Sequence, residues 1–302
     1  MASGIAVAVL GTLVGCAPSS AGGDGVELTI GSHGTMEGEL LAQIYGQALE
    51  ADGFTVDYNL GVGNYKNSVA GLRSGLIDFI PDYSGNLLKS VSPQSSSRVP
   101  SVVETELPRA LAPLGLAVLD YTRAETTRAF FTTPAFVEAH SLVSIGDVGL
   151  FSSALTFGGP EGFVDSAFGR TALSNQYGVE DWTAREKKSD AAILKELLAG
   201  KTQVAVLSLA SPGITENNLV KLEDPEFLMA PNEIVPVIPA RKYSPALALV
   251  ADDVSRALTT EQLAVLNGQV TDAADGTGEK QSVETIARNW LKLNGLLTTP
   301  EA

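Results

Sequence analysis

Histidine and cysteine, two residue types often used in acid–base and nucleophilic chemistry, are rare in this chain. Its 302 residues include two histidines, His33 and His140, and one cysteine, Cys16. A serine hydrolase needs a histidine beside its nucleophile, and the sequence contains no G-x-S-x-G motif. The two histidines lie far apart, and no histidine–cysteine spacing typical of a metal site is present. The sequence therefore predicts no catalytic residues, no metal site and no cofactor.

One short stretch combines an aromatic ring with polar side chains at a turn. In IDFIPDYSGN, residues 77–86, a short apolar strand from Ile77 to Ile80 runs into a proline, an acid, Tyr83 and a glycine turn. Tyr83 has two interpretations: a packing residue at the end of a strand, or one wall of a ligand pocket. The elements around Tyr83 decide which of the two the sequence favours.

Strands and helices alternate in the first third of the chain and position several loops beside Tyr83. VELTIGS and FTVDYNLGV are interpreted as strands, each followed by a helix, and Thr35 is expected to cap the first helix. This order predicts an α/β lobe with a mainly parallel sheet, in which ligands bind outside the carboxyl ends of the strands. Loops 32–35, 61–64 and 82–86 should meet at that edge, which favours the pocket. The side chains selected in this way are His33, Asn64, Tyr83 and Asn86.

A second α/β block follows the surface loop SPQSSSRVPS. Its candidate strands are RAFFTT, LTFGG and QVAVLSLA, and NEIVPVIPA is interpreted as a strand that returns to the first sheet. We therefore predict one lobe from residues 26–124 and 232–302 and a second lobe from residues 125–231. The two crossings between the lobes are expected near residues 123–128 and 225–232.

Composition and charge argue against a nucleic-acid partner. Hydrophobic residues make up 44% of the chain and charged residues 18%, which is typical of a globular protein. The formal net charge is -15. Nucleic acids and anionic membrane surfaces bind basic proteins, so no nucleic-acid partner is expected.

The N-terminal residues indicate export from the cytoplasm. MASGIAVAVLGTLVGC, residues 1–16, is an apolar run too short to span a bilayer, and it suits a secretory signal peptide. Its end, LVGC, resembles the lipobox of bacterial lipoproteins, in which the cysteine is acylated; the alternative for Cys16 is a buried residue of an N-terminal strand. Residues 17–25 are predicted to be a flexible tether. The first basic residue is Lys66, which leaves open whether translation starts upstream of Met1.

Residues 27–297 resemble the substrate-binding lipoproteins of osmoprotectant ABC importers, the glycine betaine, choline and carnitine type. The resemblance is carried by LTIGSHGTMEGELLAQIYGQALEADGFTVDYNLGVG, GLRSGLIDFIPDYSGN, LTFGGPEGF, VKLEDPEF, NEIVPVI and LTTEQLAVLNGQV. It implies a two-lobed α/β fold of the type II periplasmic-binding-protein kind. In that fold, two mainly parallel sheets are joined by two crossings, and the ligand lies in the cleft between them.

The resemblance also implies positions for ligand-binding residues. Members that bind betaines surround the trimethylammonium group with four tyrosines, because a quaternary cation is attracted to aromatic faces. Tyr83 matches one tyrosine, and the other three positions hold Arg128, Glu196 and Ala210. The position of an arginine that pairs with the ligand carboxylate holds Ser166. Asn86 and His33 stand at the positions of a hydroxyl and a lysine. The predicted ligand-binding set is Tyr83, Asn86, His33, Arg128, Ser166, Phe163 and Asn64.

Several of these residues have a structural alternative. His33 is either a hydrogen-bond donor in the cleft or a residue at the entry of a helix. Arg128 either contacts the ligand or forms an ion pair with Glu125. Phe163 and Phe168 are more typical of a core than of an aromatic cage.

Two classes of function follow from the sequence. The first is a monomeric, extracytoplasmic solute-binding lipoprotein, anchored through Cys16, that delivers an osmoprotectant-like solute to the permease and ATPase subunits of an ABC importer. The second is an enzyme on the same two-lobed plan, which the lack of catalytic residues disfavours. Of the four tyrosine positions that the resemblance implies, only Tyr83 holds a tyrosine and Arg128 stands at another. Betaine or choline is therefore expected to bind poorly. A polar, non-quaternary solute is therefore the alternative ligand.

Overall fold

Two α/β lobes make up the structure, a computed structural model that describes residues 25–150, 155–277 and 281–297. The predicted signal peptide, Cys16 and residues 17–24 of the predicted tether lie outside these residues. The strands are β1 (Glu27–His33), β2 (Thr55–Gly63), β3 (Ile80–Tyr83), β4 (Leu116–Val118), β5 (Arg128–Thr132), β6 (Leu155–Pro160), β7 (Trp182–Lys187), β8 (Val204–Ser208), β9 (Val220–Lys221) and β10 (Ile234–Pro239).

Helices cover both lobes. They are α1 (Met36–Ala51), α2 (Tyr65–Ser74), α3 (Ser84–Val91), α4 (Pro100–Leu111), α5 (Pro134–His140), α6 (Ile145–Val148), α7 (Arg170–Tyr177), α8 (Asp190–Leu198), α9 (Gly213–Glu216), α10 (Pro245–Ala257), α11 (Thr260–Asp275) and α12 (Val283–Leu293). None of the helices in the described part of the chain is long and apolar enough to cross a membrane.

The first lobe contains parallel and antiparallel strands. β1 and β2 are parallel, and Ile30 of β1 forms a parallel bridge with Phe79. β3 and β4 each pair antiparallel with β10, which lies between them. The antiparallel pairs arise because β10 re-enters this lobe from the other one, as predicted for NEIVPVIPA, and they make the sheet more mixed than predicted.

β3 starts later than the predicted strand over Ile77–Ile80. Residues 77–79 lie alongside β1, and the backbone N–H of Gly31 donates to the carbonyl of Phe79 over 2.8 Å. The chain then pairs with β10 from Ile80 to Tyr83. Tyr83 is therefore the last residue of β3 and precedes α3 directly, and does not belong to a loop beyond the strand.

α1 forms the centre of the first lobe's core. Ten of its 16 residues are buried, and it packs against β1, β2, α10, α11 and α12. Thr35 caps the helix, as predicted, by accepting a hydrogen bond from the backbone N–H of Gly38. At the back of the lobe, the hydroxyl groups of Tyr45 and Ser255 are 2.9 Å apart. This packing fixes the N-terminal turn of α1, which carries Glu37, at the edge of the sheet.

The second lobe is built on a five-stranded sheet in the order β7-β6-β8-β5-β9. β7, β6 and β8 are parallel, whereas β5 is antiparallel to β8 and β9. β5, β6 and β8 match the three predicted strands. Their core contains the rings of Phe130, Phe157, Phe163 and Trp182.

The chain segments that join the lobes lie side by side. The N–H of Thr126 donates to the carbonyl of Asn232 over 3.0 Å, and the N–H of Ile234 donates to that of Ala124 over 3.1 Å. Glu125 and Glu233 form an antiparallel bridge between these two bonds. The two segments thus form a short two-stranded ribbon.

Candidate functional site

The three segments that the sequence predicts as loops meet at the carboxyl ends of β1, β2 and β3, and their contacting residues His33, Gly63 and Asp82 still belong to these strands. His33 Nδ1 lies 3.0 Å from the carbonyl oxygen of Gly63, and His33 Nε2 lies 3.0 Å from Asp82 Oδ1. The N–H of Gly61 donates to Ser32 Oγ over 2.9 Å. His33 therefore connects all three loops through one buried ring.

The surroundings of His33 favour its charged form. Asp82 also accepts hydrogen bonds from the backbone N–H of Tyr83 and from the Ser68 hydroxyl. Because the Gly63 carbonyl and the Asp82 carboxylate are both acceptors, each ring nitrogen of His33 must carry a proton. Burial by itself lowers the pKa of His33, but the Asp82 hydrogen bond and charge and the Gly63 carbonyl outweigh burial and raise it. His33 and Asp82 form a buried ion pair.

Two tyrosine rings pack on His33. The ring centre of Tyr65 is 4.7 Å and that of Tyr83 is 5.7 Å from the ring centre of His33. Tyr83 is 7% exposed, and burial and then the charge of Glu37 raise the pKa of its hydroxyl well above 10. Asn86 also belongs to this cluster, because its Nδ2 donates a hydrogen bond to the Tyr65 hydroxyl over 2.9 Å.

Glu37 links this cluster to the second lobe. Its Oε1 accepts a 2.6 Å hydrogen bond from the Tyr83 hydroxyl, and its Oε2 accepts one of 2.6 Å from Asn267 Nδ2 on α11. Asn267 also donates to the carbonyl of Ala210, which follows β8 in the second lobe. Burial raises the pKa of Glu37, the two hydrogen bonds oppose that shift, and the charge of Asp190 adds to it. Glu37 thus lies where the lobes meet.

Arg128 pairs with Asp190 on the opposite side of this junction. Arg128 Nη1 lies 3.0 Å from Asp190 Oδ1, and Asp190 Oδ2 accepts a 2.7 Å bond from the backbone N–H of Ser208. The expected alternative partner of Arg128, Glu125, instead accepts a hydrogen bond from the Thr127 hydroxyl. That ion-pair prediction is wrong because Asp190, at the start of α8, reaches the arginine.

The remaining predicted residues serve local structure. Asn64 Oδ1 caps α2 by accepting from the backbone N–H groups of Lys66 and Asn67. Ser166 Oγ donates to the carbonyl of Phe163 over 2.7 Å, within the loop that follows β6. None of these hydrogen bonds reaches Glu37, His33 or Tyr83.

Phe163 does not offer a surface to a ligand. It is 0% exposed, and its ring lies 5.4 Å from that of Trp182 in the core of the second lobe. This burial favours the core alternative for Phe163 over the predicted place in the ligand set. Glu196, which stands at a tyrosine position of the resemblance, lies apart from the cluster, with Arg185 and Lys201 as ion-pair partners.

Sequence reasoning missed four members of the cluster. Acidic residues are common in the first turn of a helix, so the position of Glu37 alone did not indicate a role in the site. Tyr65 lies just outside the loop that the sequence predicts at residues 61–64. Asp190 and Asn267 lie 153 and 230 residues from Glu37, and no local pattern connects such distant positions. Among the described residues, no group of three histidine, cysteine, aspartate or glutamate side chains could hold a metal ion.

Solved structures with the same architecture include two of similar size. A protein described as a glycine betaine/carnitine/choline ABC transporter is 18% identical over 90% of this chain and 99% of that chain, with a TM-score of 0.78. Apo YehZ from Escherichia coli is 20% identical over 90% of this chain and 99% of that chain, with a TM-score of 0.72. At these identities the likeness shows the fold alone, which is the two-lobed binding-protein fold. A comparison with curated protein sequences gives no match.

Another similar structure contains a bound ligand. Lactococcal OpuAC in its closed conformation with glycine betaine is 15% identical over 90% of this chain and all of that chain, with a TM-score of 0.57. The family evidence comes from the sequence. The model of the family described as the substrate-binding domain of ABC-type glycine betaine transport systems matches residues 26–293. The chain therefore belongs to this family of substrate-binding domains.

Proposed function

We propose that this protein is an extracytoplasmic solute-binding lipoprotein that delivers a small osmoprotectant-like solute to the permease and ATPase subunits of an ABC importer. The leading class of solute is that of glycine betaine and choline. The observation that carries the proposal is the family match over residues 26–293, together with a polar and aromatic cluster at the junction of the lobes. Such junctions are the usual place for ligands in two-lobed proteins.

The ribbon of crossing segments supports a binding cycle. The proposed lobes, residues 26–124 with 232–302 and residues 125–231, would close on the solute by bending at this ribbon. Glu37 and Asn267 contribute to the site from the first lobe and Ala210 from the second. Closure on a ligand, without turnover, is the role that fits a cluster in which we identify no nucleophile beside a free base.

A polar, non-quaternary solute is the second candidate. The observation that favours it is the cluster itself, which has two tyrosine rings in place of a cage of four and places both on His33. A quaternary ammonium would gain about 0.5 to 2 kcal/mol for each well-placed ring. Fewer free ring faces therefore mean weaker binding of a betaine.

A thermal-shift screen of the purified mature chain tests the proposal. The panel contains glycine betaine, choline, carnitine, primary amines, sugars and aromatic solutes. A true ligand at a hundred times its dissociation constant should stabilise the protein by roughly 2.7 kcal/mol. The solute should be recovered chemically unchanged. A protein that no solute stabilises, or that converts its ligand, would contradict the proposed function.

A further inference from the structure

The charges at the junction of the lobes do not balance. His33 is neutralised by Asp82, and Arg128 by Asp190, each at 3.0 Å. Among the described residues, Glu37 has no cationic side chain within ion-pair distance, because its two partners, Tyr83 and Asn267, are neutral groups. The Glu37 carboxylate is therefore left at the junction without a counter-charge from the described residues.

Glu37 retains the capacity to bind a donor. A carboxylate offers about four lone-pair sites, and the hydrogen bonds from Tyr83 and Asn267 use one on each oxygen. The side chain is half-buried and both of its oxygens are fixed in place. A positively charged group that reaches Glu37 would form a charge-assisted hydrogen bond with a carboxylate that is already oriented.

A ligand carboxylate has no matching receptor in this cluster. The position at which the resemblance implies a carboxylate-binding arginine holds Ser166, whose hydroxyl donates to the Phe163 carbonyl. Arg128 is already engaged by Asp190, and a ligand carboxylate would also be repelled by Glu37. The electrostatics thus disfavour a zwitterion and favour a simple cation.

The rings near Glu37 are also poorly suited to a quaternary ammonium. The tyrosine rings closest to Glu37 pack on the charged His33, at 4.7 and 5.7 Å between ring centres. A quaternary ammonium has no N–H group, so it could form no hydrogen bond with Glu37. A primary or secondary ammonium gains that hydrogen bond.

We propose that the site selects an organic cation that carries N–H donors and no carboxylate, with Glu37 as its counter-charge and specificity-determining residue. This inference rests on the proposed function and names its substrate class. It predicts that a protonated primary or secondary amine binds more tightly than choline, and that choline binds more tightly than glycine betaine.

Calorimetry with a matched pair of probes tests the inference. Ethanolamine and choline share the same hydroxyethyl group and differ only in the three methyl groups on nitrogen. A hydrogen bond to a charged group should make ethanolamine bind roughly tenfold to a hundredfold more tightly than choline. Glycine betaine should bind most weakly. This comparison uses the unaltered protein and does not depend on the folding of any variant.

Substitution of the carboxylate identifies the residue responsible. Glu37→Gln should weaken ethanolamine by roughly tenfold or more and choline by a smaller factor, because choline loses the attraction of the charge but no hydrogen bond. The matched control is Glu39→Gln, two residues along α1 and therefore on a different face of the helix. This control should bind ethanolamine as the unaltered protein does.

The outcomes separate the inference from the proposed function. Choline or glycine betaine binding as tightly as ethanolamine overturns the inference and leaves the proposed function intact. Ethanolamine binding that is unchanged in Glu37→Gln also overturns it. If no member of the full solute panel binds, both fail.

Discussion

His33 shows how one side chain can organise three loops. Its ring bridges the Gly63 carbonyl and the Asp82 carboxylate and supports the rings of Tyr65 and Tyr83. The hydrogen bond to Gly63 requires a proton on Nδ1, and the one to the Asp82 carboxylate requires a proton on Nε2. The charge state of His33 should therefore be coupled to the stability of the whole loop cluster.

The contribution of His33 to stability should depend on pH. Its pKa is raised in the folded protein above 6.5, so its stabilising effect is fully present below pH 6.5 and is lost as pH rises through the folded pKa. We expect His33→Gln to reduce the free energy of unfolding most in acidic buffer and least in alkaline buffer. Urea unfolding of both proteins across neutral pH measures this difference. A difference that stays constant or grows with pH would refute the coupling.

At the scale of elements, the contact between the start of α3 and the second crossing is closely packed. A Cβ atom on Gly85 would lie 2.0 Å from the backbone carbonyl oxygen of Pro231. Beside this contact, the backbone N–H of Asn86 donates to Asn232 Oδ1 over 3.2 Å. The second crossing can therefore lie this close to β3 and α3 only because residue 85 is a glycine.

A methyl group at this contact should separate the two elements. Gly85→Ala should lower the free energy of unfolding by about 1 to 3 kcal/mol, as expected for overpacking against backbone. Gly34→Ala is the control, because no heavy atom lies within 4 Å of its added Cβ. Chemical denaturation compares the two variants. Equal stability of both would mean that the crossing moves aside at little cost.

The elements that the sequence predicts best are those with an apolar pattern of their own. β1, α1, β8 and β10 combine such a pattern with clear turn or cap residues, and the structure contains all four. β7 was missed because WTAREK is polar and half-exposed at the edge of its sheet. The site was only partly predictable, since Glu37 acquires its role from Asn267 and Asp190, which approach it only when the chain has folded.

At the scale of the whole molecule, anchoring and solute binding would be separate properties of the chain. The described lobes carry the candidate site, whereas Cys16 precedes them in the sequence. We expect Cys16→Ala, expressed in the native host, to shift the protein from the membrane fraction to the soluble fraction, because the acyl chains that hold a lipoprotein are then missing. Solute binding by the released protein should be unchanged. Continued membrane association of the variant would contradict the lipoprotein assignment.

Pro81 in β3 and Pro236 in β10 restrict how these two strands can align. Pro81 lies opposite Pro236, and neither residue has an N–H group to donate. The two prolines fit only where an antiparallel ladder needs no hydrogen bond between opposed residues. A slip of β3 by one position would place Pro81 where the ladder requires a donor and would turn every side chain of β3 to the other face. Pro81 thus disfavours this slip and helps to keep the alignment that presents Asp82 to His33 and Tyr83 to Glu37.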